Sequence, residues 1–223
     1  MSGRERFQVR KDKIRRRLLK YTRRAFRMLP QIDKPRILDV GCGSGIPTLE
    51  LVRLSQGEII AIDIDQPALD KLNRRIEKAE LTKRIKAENC SMFDMSFPDE
   101  SFDIVWSEGS IYAIGFERGL REWKRLLKSK GSMVVHDEQG NVREKLEQIS
   151  NCGYELLGYF MLSKEIWWTE YFAPFEKWIA ESRTTYIHDP KVLEELHQAQ
   201  LELDMYKKYP ERNSSVCFVM KKM

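Results

Sequence analysis

Residues 37–45, ILDVGCGSG, constrain this chain more than any other stretch. The apolar run to Val40 reads as a buried strand, and helical spacing begins at Ile46, with apolar residues at 46, 49, 51, 52 and 54. The chain must therefore pass from strand to helix within a few residues. So tight a turn leaves backbone N–H and C=O groups unpaired. Glycine at 41, 43 and 45 permits positive φ there and lets a ligand lie against the main chain. In open α/β sheets such a place is the carboxyl end of a strand where the strand order reverses.

The pattern downstream fits that architecture. Arg36–Val40 and Glu58–Ile62 read as strands, as do 84–87, 102–106 and 132–136. Between them the spacing predicts helices over 46–54, 66–79 and 116–127, and a further helix over 141–149 precedes strands at 154–162 and 215–220. Strand alternating with helix is the signature of a doubly wound, Rossmann-like α/β fold. We read 1–223 as a single domain with two additions. Residues 1–30 form a basic N-terminal helix, with apolar positions 14, 18, 21, 25 and 29 on one face and Pro30 ending it. Residues 163–212 form a helical insertion between strands six and seven, too long for a turn and expected to act as a lid.

The spacing of the turn narrows the ligand. A dinucleotide site wants G-x-G-x-x-G, with a pyrophosphate on the helix N-terminus. Here it is G-x-G-x-G followed by Ile46 and Pro47, and no P-loop lysine is present, which favours a ligand without phosphate. Asp63, followed by Ile64, closes the second strand 22 residues after Gly41, where a carboxylate accepts hydrogen bonds from both hydroxyls of a ribose. Asp39 adds a negative group suited to a ligand end carrying positive charge. Cys42 is read as a small side chain that fits the cluster.

At these residues the chain resembles the class I S-adenosylmethionine-dependent methyltransferases. DVGCGSG (39–45) corresponds to the family's turn for the methionine part, and Asp63 in AIDID to its ribose-binding acid. CSMFDMSFPDESFDIVWSEG (90–109) is similar to the stretch leading into the family's fourth strand, and GLREWKRLLKSKGSMVV (119–135) to its following helix and fifth strand. The resemblance covers about residues 36–137. It implies S-adenosylmethionine as cofactor and a seven-stranded, mostly parallel sheet, order 3-2-1-4-5-7-6, with an antiparallel last strand. It also places Ser91 where the family usually has an aspartate for the adenine amino group. Serine is neutral and shorter, so adenine contacts are expected to rest also on the backbone of Met92 and Phe93.

Methyl transfer from a sulfonium is an in-line displacement that asks the protein mainly to align the acceptor and exclude water. A base is needed only where the acceptor holds its proton at neutral pH. His136, at the end of strand five, is the first candidate. Glu108 follows strand four, where the resemblance also suggests a role near the methionine amino group, and Tyr112 follows it. SEGSIYAIGFERGLREW resembles a methyltransferase-11 type subgroup acting on small molecules. Trp167, Trp168, Tyr171, Phe172 and Trp178 are expected to leave some of their number free to wall an apolar pocket.

Residues 1–30 carry 12 Lys/Arg against 2 Asp/Glu, while the other 193 residues hold a net −5. The arm therefore keeps open an alternative, a nucleic-acid methyltransferase whose arginines track phosphates, as well as contact with an anionic membrane surface. Docking over the cofactor site is the expected role. Base-amino methylases use Asn-Pro-Pro-Tyr or Asp-Pro-Pro-Tyr after strand four; carbon-5 methylases use a Pro-Cys pair, and neither is present. A third reading is a module that binds S-adenosylmethionine without turnover. Four scattered cysteines offer no metal-ligand spacing or disulfide framework. An arginine-rich start and the lack of a long apolar stretch lead us to expect a cytoplasmic protein without a membrane span.

Overall fold

The computed structural model describes residues 3–209 and 213–223. Residues 1–2 of the expected N-terminal helix and 210–212 of the expected insertion lie outside them. The sequence reads as one domain, whereas the contacts resolve two compact units: residues 21–161 with 216–223, and residues up to 20 with 162–215.

The N-terminal segment is not one helix. It comprises α1 (Gly3–Arg15), a 3-10 turn (Arg16–Leu18) and α2 (Leu19–Arg27). The tighter turn separates residues that bury in different places. Phe7 and Ile14 join an aromatic cluster in one unit, while Phe26 lies 6.4 Å from Trp106 in the other.

The larger unit is built on β1 (Arg36–Val40), β2 (Glu58–Asp63), β3 (Ile85–Asn89), β4 (Phe102–Glu108), β5 (Leu127–Glu138), β6 (Tyr154–Leu162) and β7 (Ser215–Lys222), in the order β3-β2-β1-β4-β5-β7-β6. The sheet is mostly parallel, with antiparallel pairing at its last strand. Helices α3 (Ile46–Ser55), α4 (Gln66–Lys78), α5 (Phe116–Trp123) and α6 (Val142–Asn151) connect the strands. Leu38, Val40, Val105, Met133, Val135 and Phe218 are fully buried in its core, the continuous apolar reading expected of strands covered on both faces. Parallel register brings Val40 opposite Ile62, Asp39 opposite Trp106 and Glu108 opposite His136. The carboxyl ends of β1, β2, β4 and β5 thus share one edge.

Strand five starts five residues earlier than the spacing predicts. The KSKG stretch is a bulge inside β5: Phe102 pairs with Leu127 but Ile104 with Ser132, and Lys130 takes φ 63°. Lys128 fixes it by bonding both oxygens of Asp103, at 2.9 and 2.8 Å.

The smaller unit is helical: α1, α7 (Lys164–Trp167), a π-helical turn (Trp168–Phe172), α8 (Ala173–Thr185) and α9 (Pro190–Lys208). Its core takes in most of the aromatic run. Tyr171, Phe172 and Trp178 are buried, and Trp167 and Trp168 are half-buried against the same cluster. Phe175 stacks between Tyr171 at 5.2 Å and Trp178 at 5.3 Å, and Phe172 lies 3.7 Å from Tyr206. These rings are consumed by packing against one another. The π turn has a local cause: Pro174 lacks the N–H that would bond the Glu170 carbonyl, and Arg17 Nε donates to that oxygen instead at 3.0 Å. Arg17 and Lys20 also pair with the Glu170 carboxylate, Lys11 with Glu202, and Arg10 with Glu181. Much of the arm's positive charge therefore has acidic partners within the same unit.

Candidate functional site

The three glycines do different jobs. Gly41, Gly43 and Gly45 adopt φ of 73°, 51° and 77°, a region unfavourable to side chains. A Cβ on Gly41 would stand 2.3 Å from the Cβ of Ser110, and one on Gly45 would stand 2.2 Å from Leu72. Only at Gly43 would a Cβ meet nothing within 4 Å. The sequence reads all three as allowing positive φ and the approach of a ligand; positive φ holds at all three, while Ser110 and Leu72 occupy the space a Cβ would take at Gly41 and Gly45 and Gly43 faces open space.

The turn is pinned from several sides. The Gly41 and Cys42 N–H groups donate to Ile62 O at 2.9 and 3.0 Å, and Gly45 N donates to Cys42 O. Arg75 of α4 donates to Ser44 O at 2.5 Å. Ser110 Oγ donates to Val40 O at 2.6 Å, so the 2.7 Å contact between hydroxyls has Ser107 as donor to Ser110. The Cys42 side chain is buried, with Sγ directed at Gly43 O. Burial, with Asp39 and Asp63 nearby, pushes its thiol up and keeps it protonated.

Asp63 is held by the backbone. Gly43 N donates to Oδ2 at 2.7 Å and Asp65 N to Oδ1 at 2.9 Å. Each oxygen keeps acceptor capacity, and the carboxylate lies beside the open glycine. Ile64 is 72% exposed, and Phe93 is also exposed, beyond β3. Two large apolar side chains are thereby presented to solvent near the ends of adjacent strands. In the loop after β3, Ser91 Oγ accepts from Phe93 N at 3.2 Å and Met92 O from Trp123 Nε1 at 3.3 Å. The Phe93 N–H expected to serve a ligand is thus already engaged.

Three carboxylates gather around the turn. Asp39 is buried and accepts from Thr48 Oγ1 at 2.6 Å. Burial pushes its pKa up to about 7 against the effect of that bond, and the charges of Glu108 and Asp63 push the same way. Glu108 accepts from Trp106 Nε1 at 2.9 Å and from Thr22 Oγ1 at 3.3 Å. Its pKa too is raised by burial, which those two bonds oppose. Among the described residues neither group has a cationic side chain as hydrogen-bond or ion-pair partner.

His136 pairs in register with Glu108, and its carbonyl accepts from Gly109 N at 2.8 Å. Burial lowers its pKa to about 4, against the pull of Asp137. It is a neutral imidazole at physiological pH and a weak base. Asp137 is bound by Lys145 Nζ at 2.6 Å, itself well buried. Tyr112, in a 3-10 turn over Ile111–Ala113, is exposed to solvent. The structure thus brings together Asp39, Gly43, Asp63, Glu108 and His136 at one edge. Thr22, Thr48, Arg75 and Trp106, which hold the site in shape, escape sequence reasoning. A lone threonine in an arginine-rich helix carries no signal of its partner.

Residues 37–131 match the family model described as a methyltransferase domain. The chain is 29% identical over 111 residues to a 27-O-demethylrifamycin SV methyltransferase of Amycolatopsis mediterranei, a match covering 49% of this chain and 41% of that one. The chain thus spans less than half the length of that curated relative. The crystal structure of the cyclase SpnF superposes with a TM-score of 0.73 at 20% identity, over 91% of this chain and 80% of that one. A methyltransferase from Geobacter sulfurreducens in complex with S-adenosyl-L-homocysteine does so with 0.69 at 16% identity, over 93% and 90%. At those identities the likeness shows the fold.

Proposed function

We propose that the chain uses residues 37–131, which match the methyltransferase-domain model, to bind S-adenosylmethionine and transfer the methyl group to a small-molecule acceptor. The observation that carries this reading is Asp63 beside the open Gly43. The carboxylate is preset by two backbone N–H groups, with acceptor capacity left on both oxygens for a diol. The residues fit the group in charge as well, because Asp39 and Glu108 offer negative charge without cationic partners to a ligand that carries an ammonium and a sulfonium.

When bound, the cofactor supplies a methyl group already activated for displacement. Asp63 would accept from the ribose hydroxyls. Ile64 and Phe93 offer apolar surface to the adenine, while Ser91 retains a lone pair for its amino group. Glu108 and Asp39 would hold the cationic end. His136 stays neutral and adds no charge where the acceptor approaches; its low basicity suits an acceptor atom that needs little help in losing a proton. Small-molecule acceptors are supported by the rifamycin enzyme among the relatives. The nucleic-acid alternative gains nothing from the arm, several of whose cations are paired internally.

Calorimetric titration with S-adenosylmethionine and S-adenosylhomocysteine tests the reading. The native chain should bind both, and Asp63→Ala should lose about 3–6 kcal/mol of affinity, as expected for two hydrogen bonds to a charged group. Absence of heat with either ligand from the folded native chain would overturn it. Product formed with any acceptor removes the non-catalytic reading.

A further inference from the structure

We propose that Thr22 of α2 is a positioning residue: its hydroxyl holds the Glu108 carboxylate in the orientation at which that group meets the cationic end of a bound ligand. The inference rests on the reading of the site as one for S-adenosylmethionine.

Thr22 is buried, and its Oγ1 donates to Glu108 Oε2, while Trp106 Nε1 donates to Oε1. Both carboxylate oxygens are thus fixed by donors that carry no charge. One helical turn beyond Thr22, Phe26 packs on Trp106, so the same face of α2 supports the group and its second donor. The choice of donor matters. An arginine or lysine would orient Glu108 equally well but cancel its charge, whereas a hydroxyl orients it and leaves the charge for the ligand. The surrounding sequence makes a cation the default, since 12 of the first 30 residues are Lys or Arg. Yet the two arginines following Thr22 are turned to other partners. Arg23 Nε binds Glu50 of α3 at 2.5 Å, and Arg24 lies over the Phe160 ring at 4.2 Å.

The groups facing Glu108 from the neighbouring elements are Asp39 on β1, Asp63 beyond it on β2, His136 across the register on β5 and Cys217 on β7. Arg24 acts on Cys217 from α2. His136 is neutral over the working range and the Cys217 thiol is held protonated by burial. The carboxylates therefore dominate the response to pH. A donor to the ionised form lowers the pH at which Glu108 gives up its proton. Removing the hydroxyl should move that ionisation upward, and ligand binding with it.

The test is calorimetric titration of the full chain with S-adenosylmethionine and S-adenosylhomocysteine from pH 5.5 to 8.5, for the native protein, Thr22→Val, Thr22→Ser, Glu108→Gln and the Val/Gln double variant. Thr22→Val should weaken binding by up to about tenfold, more at the acid end of that range than at its alkaline end, with the midpoint of the profile displaced upward. Thr22→Ser should restore the native profile, and Thr22→Val should have no further effect once Glu108 is Gln. Superimposable profiles for Thr22→Val and the native chain, or an equal loss at every pH that serine does not rescue, overturn the proposal. Should the valine variant fail to fold, Thr22→Ala against Thr22→Ser makes the same comparison. A native chain that binds neither ligand removes the methyltransferase reading; a native chain that binds while the variants behave alike removes only the role of Thr22.

Discussion

Two short stretches of unusual composition, the glycine turn at 41–45 and the aromatic run at 167–178, are held together by opposite means. In the turn the backbone itself does the work: N–H groups donate to Ile62 O, Asp63 and Cys42 O, and side chains from Ser110 and Leu72 fill the space left by missing Cβ atoms. In the aromatic run the backbone is irregular, passing through a π turn, and order comes from ring against ring. A backbone-built site is rigid and leaves polar groups to offer a ligand. A ring-built cluster spends its surface on itself, which explains why aromatics that look available in the sequence are not.

The largest test of that contrast is Phe175→Ala. Removing a fully buried ring should cost about 3–5 kcal/mol, read by denaturant unfolding, and amide exchange should rise in α8 and α9. If protection in β1 and β2 falls with it, the two units do not open separately. Next come the glycines. Gly45→Ala should cost about 2–4 kcal/mol, because left-handed strain adds to the collision with Leu72. Gly43→Ala should show strain alone, about 1–2 kcal/mol, while losing more ligand affinity than its melting shift suggests. Equal stability losses at the two positions would erase the distinction between packed and open glycines.

A smaller effect is expected from pH. Burial raises the pKa of Glu108 and pushes that of Asp39 up to about 7, so acidification through that point protonates Asp39 and removes charge that a cationic ligand needs. Affinity for S-adenosylmethionine should rise from pH 5.5 to 8 and level off, a change of about tenfold or 1.4 kcal/mol. A profile flat over that range would mean that these carboxylates do not meet the ligand. The smallest effect belongs to the π turn. Arg17→Ala leaves the Glu170 carbonyl without its donor and should cost about 1 kcal/mol, read as a small drop in melting temperature.

The legible part of the site is the part written in local sequence. Gly43 and Asp63 were identifiable because a strand-to-helix turn and the end of the next strand have fixed positions in a βαβ unit, and their geometry needs only residues near in sequence. Thr22 and Arg75 were not identifiable, since they meet groups 86 and 31 positions away; Thr48 and Trp106 meet groups only 9 and 2 positions away, but no local pattern marks which side chains turn towards each other. The N-terminal helix shows the same limit: its periodicity predicted one rod, while burial in two different units required a 3-10 turn between them.

By itself the sequence determined the alternation of strands and helices, the glycine turn after the first strand and the acid that closes the second, because hydrophobic period and glycine spacing act over short range. Tertiary structure alone decided which glycines face open space, that Glu108 and Asp63 lie close enough to Asp39 to raise its pKa, and that most of the aromatic run becomes core. Those outcomes depend on distances between residues remote in the chain, and a distance of that kind exists only once the chain has packed.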